Sequence, residues 1–200
     1  MKIVSVLEHY ELLIDEGNDP IQDPPQLQAY MNRWDGPSFF NELNPENKIV
    51  LEIGVGTGRI AKTVLSMGCE FLVGIDISPK TINRARSNLS SFSNIELVMT
   101  DIINYNRPNT FDLAYCVLTF LHIEDKKKAL SNIYNALKDE GTFVLSVSND
   151  DEWIECGDRK IKLYPAGIEE YVRLFQLTGF QIQSIQETES KYETIITGKK

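Results

Sequence analysis

The stretch Val50-Leu51-Glu52-Ile53-Gly54-Val55-Gly56-Thr57-Gly58-Arg59-Ile60-Ala61 limits what this chain can fold into more than any other. An apolar run from Ile49 to Ile53 ends in three alternating glycines, and helix-period spacing follows. That order reads as a strand, a tight loop and a helix N-terminus. Glycine has no Cβ and tolerates positive φ, so a ligand can approach such a loop closely. The unpaired N–H groups of the helix start then face whatever sits there. One acid, Asp76, stands at the end of the next predicted strand, and another, Asp101, follows the third. Together these features point to an adenosine-containing cofactor.

The strand-then-helix order repeats along the chain. Apolar runs predict strands over 49–53, 71–75, 95–99, 111–117 and 142–147. Helices are predicted over 57–67, from Ser78-Pro79 towards Leu89, from Asp125 to a stop at Gly141, and over 168–177. Ser78 reads as an N-cap with proline at the first helical position. Segments 180–185 and 192–197, around Glu189-Ser190-Lys191, read as a closing hairpin. Near-continuous apolar strands are those covered by helices on both faces, wound by right-handed crossovers. The predicted fold class is α/β: a doubly wound, mostly parallel seven-stranded Rossmann-like sheet with a C-terminal antiparallel hairpin. Residues 1–45 lack strand alternation. Val6, Leu7, Tyr10, Leu13 and Ile14 predict a first helix, and Leu27, Tyr30 and Met31 a second, shorter one. Gly17-Asn18-Asp19-Pro20, Asp23-Pro24-Pro25 and Gly36-Pro37 break the chain between and after them. The expected division is a helical N-terminal extension over 1–45, covering the site, and a cofactor-binding domain over 46–200.

Composition excludes several alternatives. The 200 residues are 42% hydrophobic, enough for one full core. The formal charge is −9 with no long basic stretch, which speaks against a nucleic-acid groove. No run reaches the ~18 apolar residues of a membrane span. Acid at Glu8 comes too early for a secretory signal. Cys69, Cys116 and Cys156 are odd in number and far apart, and no CxxC occurs. His9 and His122 are remote in sequence. Reduced thiols in a cytoplasmic protein, and no metal site, are expected.

Asp76 follows Phe71-Leu72-Val73-Gly74-Ile75, where a carboxylate can accept hydrogen bonds from both hydroxyls of a ribose. The bland alternative is an acid facing the helix that starts after Ser78. Asp101 follows Ile95-Glu96-Leu97-Val98-Met99-Thr100, where it can accept from an exocyclic adenine amine or serve as an ordinary turn acid. A nicotinamide cofactor calls for G-x-G-x-x-G. Here the spacing is G-x-G-x-G, and Arg59 stands where that third glycine belongs.

With these motifs the chain resembles the class I S-adenosylmethionine-dependent methyltransferases. The likeness rests on Val50 to Gly58, Gly74-Ile75-Asp76-Ile77-Ser78, Met99-Thr100-Asp101-Ile102, and Phe111-Asp112-Leu113-Ala114-Tyr115-Cys116 with Leu121-His122-Ile123 after it. It covers roughly residues 45 to 200. The resemblance implies S-adenosylmethionine as cofactor and methyl transfer; the expected acceptor is a small molecule, with charge and hydropathy speaking against nucleic acid and membrane as partners. It implies that Gly54, Gly56 and Gly58 wrap the methionine part and that Glu52 reaches the ammonium. Asp76 would hold the ribose, with Ile77 against adenine. Asp101 and Ile102 would hold the adenine edge and face, and the backbone near Cys116 would accept from the ammonium. Two other readings stand beside it: a cofactor-binding module without catalysis, and a nicotinamide-dependent oxidoreductase.

The acceptor side is less marked. His122 is a candidate general base, with a structural histidine as the alternative. Arg33, with Tyr30 and Trp34, can touch the cofactor from a covering helix or simply pack an amphipathic one. The expected acceptor pocket joins Tyr30, Trp34, Phe120, Trp153 and Tyr164 at the carboxyl edge of the sheet. Lys126-Lys127-Lys128 reads as a solvated helix face. Asp150, Asp151, Glu152, Glu155 and Asp158 around Trp153 read as a solvated loop.

Overall fold

The computed structural model of the chain describes residues 1–148, 152–189 and 191–200, and the backbone alone of residues 30–35. Asp150, Asp151 and Ser190, and the side chains of Tyr30, Arg33 and Trp34, lie outside the described residues. Five strands carry the frame: β2 (Ile49–Ile53), β3 (Phe71–Asp76), β4 (Ile95–Met99), β5 (Phe111–Val117) and β6 (Leu137–Ser148). They pair in parallel in the order β4-β3-β2-β5-β6. The last two strands, β9 (Gln181–Glu187) and β10 (Glu193–Lys199), extend the sheet to seven. β10 runs antiparallel to both β6 and β9. The predicted seven-stranded sheet and closing hairpin are therefore present.

Helices cover both faces, which is why the strands read as unbroken apolar runs. α5 (Lys126–Ala136) and α6 (Ile168–Thr178) bury Ala129, Leu130, Ile133, Leu174 and Phe175 on one face. α3 (Arg59–Ser66), α4 (Pro79–Asn88) and the end of α2 (Pro25–Leu43) bury Ile60, Val64, Ile82, Phe39 and Leu43 on the other. Gly36 breaks α2 internally at φ +66°, where Gly36-Pro37 predicted an interruption. Ser78 caps α4 by accepting from the Thr81 N–H at 3.1 Å.

Two expectations need correction. Gly141 does not end α5. The helix stops at Ala136, and the chain continues directly as β6. A Cβ at Gly141 would lie 2.8 Å from the Lys138 carbonyl, so glycine is needed for a fold-back within the strand. The acid-rich segment after β6 is also more than a loop. It forms the hairpin β7 (Trp153–Cys156) and β8 (Arg159–Lys162), turned at Gly157 with φ +59°.

This hairpin recruits the N-terminus. β1 (Lys2–Ile3) adds to β8 in parallel, making a second sheet in the order β1-β8-β7. α1 (Val6–Asp15) follows, with Ser5 as N-cap, and Arg159 on β8 fastens its far end. The guanidinium forms two bonds to Glu16, of 2.5 and 2.7 Å, and its Nε lies 3.1 Å from His9 Nδ1. Beyond α1, Asp19 is buried. It accepts from Arg84 and Asn88 on α4, each at 3.1 Å, while Asn88 also donates to the Thr57 carbonyl at 3.0 Å. Burial pushes the Asp19 carboxyl up, but bonds from Asn88, Thr57 and Arg84 outweigh it and hold the group below its ordinary value.

Asp19→Ala should lower stability by about 1–3 kcal/mol, because it strands Asn88 and Arg84 donors. The loss stays below the ~3–5 kcal/mol of a fully buried pair, since Arg84 keeps access to water. Urea unfolding of both proteins measures it; equal midpoints would mean that Asp19 does not tie the N-terminal segment to α4.

Candidate active site

A cavity of about 700 Å³ opens at the carboxyl ends of β2, β3 and β5. It lies where the strand order reverses, since the chain runs from β2 outwards to β4 and then returns to β5 on the other side. Parallel sheets take ligands at such a point. The glycine loop forms one wall, the Asp76 and Asp101 turns the floor, residues 117–125 the opposite wall, and α1 the roof.

The three glycines have different tasks. Gly56 has φ +56° and lines the cavity, and a Cβ there would meet nothing within 4 Å. It is the open cradle. Gly54 has φ +76°, and a Cβ would collide with the Thr119 side chain across the loop. Gly58 does not line the cavity. It caps α3 at φ +96°, and a Cβ would lie 2.7 Å from Leu89 Cδ1. Its place is structural, which corrects the expectation that it touches the ligand.

Three acids border the cavity. Glu52 is buried, lines the cavity and accepts from the Tyr115 hydroxyl at 2.8 Å. Asp76 accepts from the Gly56 N–H at 3.1 Å and the Ser78 N–H at 2.9 Å, so it ties the glycine loop to the next turn. Burial raises its carboxyl above the usual range, against the lowering pull of those backbone donors. Asp101 is exposed at the rim and accepts from the Ile103 N–H at 3.0 Å. Ile77 and Ile102 line the same end of the cavity.

The acceptor side departs from expectation. Cys116 is fully buried within β5 and does not line the cavity; burial pushes its thiol up to about 12. Val117, Leu118 and Thr119 form the wall instead, with Leu118 at φ +51° where the chain leaves the sheet. Phe120 is also fully buried, packed against Phe143 and Tyr171 at ring distances of 6.0 and 6.4 Å. It belongs to the core, because the turn after β5 points it under the sheet. Trp153 and Tyr164 lie outside the cavity. The hairpin turns the Trp153 ring towards Lys160, whose Nζ is 4.3 Å from its centroid. Tyr164 is tied by its N–H to the Leu121 carbonyl at 2.7 Å.

His122 does line the cavity, in a short 3-10 turn over Phe120–His122. Its partner comes from α1: Tyr10 Oη lies 2.8 Å from His122 Nε2, with the rings edge-to-face at 5.4 Å. Burial lowers the imidazole to about 4, with smaller contributions from the charges of His9 and Lys126. Tyr10, Val6 and Leu7 cover the cavity from α1. Arg59 lines the cavity too. Tyr10 reads in the sequence only as one tooth of an amphipathic helix; its partner lies 112 residues away.

A family model described as a methyltransferase domain matches residues 50–141. Malonyl-[acyl-carrier protein] O-methyltransferase 1 of Ilyobacter polytropus is 26% identical over 132 residues, covering 64% of this chain and 49% of that protein. The chain spans about half the length of the first curated relatives it matches. Among solved structures, the N-methyltransferase NodS of Bradyrhizobium japonicum in complex with S-adenosylhomocysteine superposes with a TM-score of 0.72 at 17% identity, covering 98% of each chain. The [4+2]-cyclase SpnF superposes with a TM-score of 0.74 at 16% identity, covering 100% of this chain and 99% of that one. One fold therefore carries more than one chemistry.

Because His122 is held neutral, its contribution to stability has a definite sign. The unfolded chain binds a proton near the ordinary value of 6.5, the folded chain only near 4. Stability is complete above 6.5 and is lost as pH falls through that window. Between pH 7 and 5 the loss should reach about 1–2 kcal/mol, with His9, also lowered, adding to it. His122→Gln should flatten the melting temperature over that range; an unchanged slope would show that His122 is not held neutral by the fold.

The cradle at Gly56, the carboxylate at Asp76 and the cavity between them draw on the residues that the methyltransferase-domain model matches, and the chain is similar to the class I S-adenosylmethionine-dependent methyltransferases.

Proposed function

We propose that the chain transfers a methyl group from S-adenosylmethionine to a small molecule that enters the cavity beside His122. The observation that carries this reading is the pairing of Gly56 with Asp76: an open backbone cradle next to a carboxylate at the end of β3. The residues fit the cofactor. Asp76 would hold the ribose hydroxyls, Asp101 the adenine amine, Ile77 and Ile102 the adenine faces, and Glu52 the ammonium. Arg33 remains a candidate for the carboxylate. When bound, the cofactor supplies an electrophilic methyl carbon on a sulfonium.

The chain's own task is then alignment and water exclusion, which lower the barrier without further chemistry. α1 closes the cavity from above, and the extension over 1–45 serves as a cover for the 46–200 domain. His122 lines the acceptor side and is the proposed general base. A small acceptor is favoured over a protein or nucleic acid because the cavity walls are mainly apolar and the chain carries −9. Among the described residues no helix is long and apolar enough to cross a membrane. Three free cysteines support a reducing, cytoplasmic setting.

S-adenosylhomocysteine should raise the melting temperature by mass action and NAD should not. A shift with NAD alone would overturn the reading. Asp76→Asn, which keeps one acceptor oxygen for the loop, should weaken S-adenosylhomocysteine binding by about 1–3 kcal/mol in calorimetry. Gly56→Val should nearly abolish it, since the β-branched side chain projects into the cradle. Full affinity in Gly56→Val would make the loop an ordinary turn.

A further inference from the structure

We infer that Tyr10 is the group that touches the acceptor, with His122 behind it as the proton sink, and that the acceptor is an apolar molecule reacting through one hydroxyl. This rests on the methyl-transfer reading above and names its substrate class. The geometry leaves His122 no direct route to an acceptor. Its Nε2 is taken by Tyr10 at 2.8 Å. Its Nδ1 is buried and has no hydrogen-bond partner among the described residues. Tyr10 and His122 line the cavity together, so an acceptor can meet the pair at the phenol. With the phenol donating to Nε2, its oxygen keeps lone pairs for a donor in the cavity. Val6, Leu7, Leu118 and Ile123 line the cavity too, while the neighbouring Ser5, Thr119 and Asp125 already bond the Glu8 N–H, the Val117 carbonyl and the Lys128 N–H.

The proton path balances. The acceptor oxygen bonds to the methyl carbon as the carbon–sulfur bond breaks, and that electron pair stays on sulfur. The hydroxyl proton passes to Tyr10 Oη while the Tyr10 proton passes to His122 Nε2. The sulfonium charge disappears as the imidazolium charge appears, so the cavity holds one positive charge throughout. A base as weak as this imidazole suffices, because a hydroxyl under methylation becomes far more acidic than an imidazolium. The charged groups around the dyad are His9 on α1, Lys126 on α5 and Asp76 below Tyr10. Arg159 is a positioning residue, since it fixes the helix that delivers Tyr10.

The test uses the full chain saturated with S-adenosylhomocysteine, with 4-fluorophenol and 4-fluoroanisole as fluorine NMR probes. The phenol should bind saturably and about five- to tenfold more tightly than the anisole, the difference of one hydrogen bond. Tyr10→Phe should erase that preference while keeping S-adenosylhomocysteine affinity within about threefold. In the same variant the His122 titration midpoint, followed by imidazole NMR, should rise by about one pH unit, because a donor to the neutral ring is lost. No phenol preference in the wild type, a preference that survives Tyr10→Phe, or an unmoved His122 midpoint would each overturn the inference. Loss of S-adenosylhomocysteine binding in a folded Tyr10→Phe protein would assign Tyr10 to the cofactor and overturn it too. Failure of the wild type to bind S-adenosylhomocysteine would instead sink the methyl-transfer reading.

Discussion

The site depends on a constraint of chain winding. Right-handed crossovers take the chain from β2 to β4 on one side and return it to β6 on the other. Loops leaving β2 and β5 must therefore diverge, because their connections leave for opposite halves of the sheet. The gap between them is the cavity. Everything polar in the floor follows from where strands end: Glu52 within β2, Asp76 at the end of β3 and Asp101 just after β4. The acid at Asp76 bonds Gly56, so two neighbouring strand ends brace each other across that gap.

The sheet and the glycine loop were legible because they obey local rules. Ile49 to Ile53 is apolar since both its faces are covered, and Gly56 is glycine since its φ is positive beside open space. Ser78-Pro79 marks a helix start wherever it stands. Gly58 shows the limit of such reading. It looks like Gly56 in the sequence, but its constraint is the Leu89 side chain, contributed by another helix end. Gly141 misled for a related reason: a helix-ending glycine and a fold-back glycine are both selected by the absence of Cβ.

The acceptor side was less legible because long-range contacts build it. Phe120 and Tyr10 are both aromatic residues near the right elements. Only packing decides that one enters the core and the other the cavity. The hairpin over 153–162 was legible in principle. Gly157-Asp158 stands between Trp153-Ile154-Glu155-Cys156 and Arg159-Lys160-Ile161-Lys162, a turn pair between alternating runs. The density of acids around it conceals the alternation. Arg159 then escapes notice, since a lone arginine in a charged run carries no sign that it is buried.

The parallel pairing of β1 with β8 has a consequence for how the protein is made. Tyr10 leaves the ribosome well before the hairpin that seats its helix, since Arg159 follows His9 by 150 residues. The roof of the cavity therefore has no seat until synthesis has passed β8. Contacts so distant in sequence close large loops and form slowly. Helix α1 must wait, exposing the apolar edge of Val6 and Leu7, while the five parallel strands, all made before β8, can pair without it. Pairing of the five parallel strands and completion of the roof are thus separate events in time, and a nascent chain held by chaperones would already contain the glycine loop before the cavity has its cover.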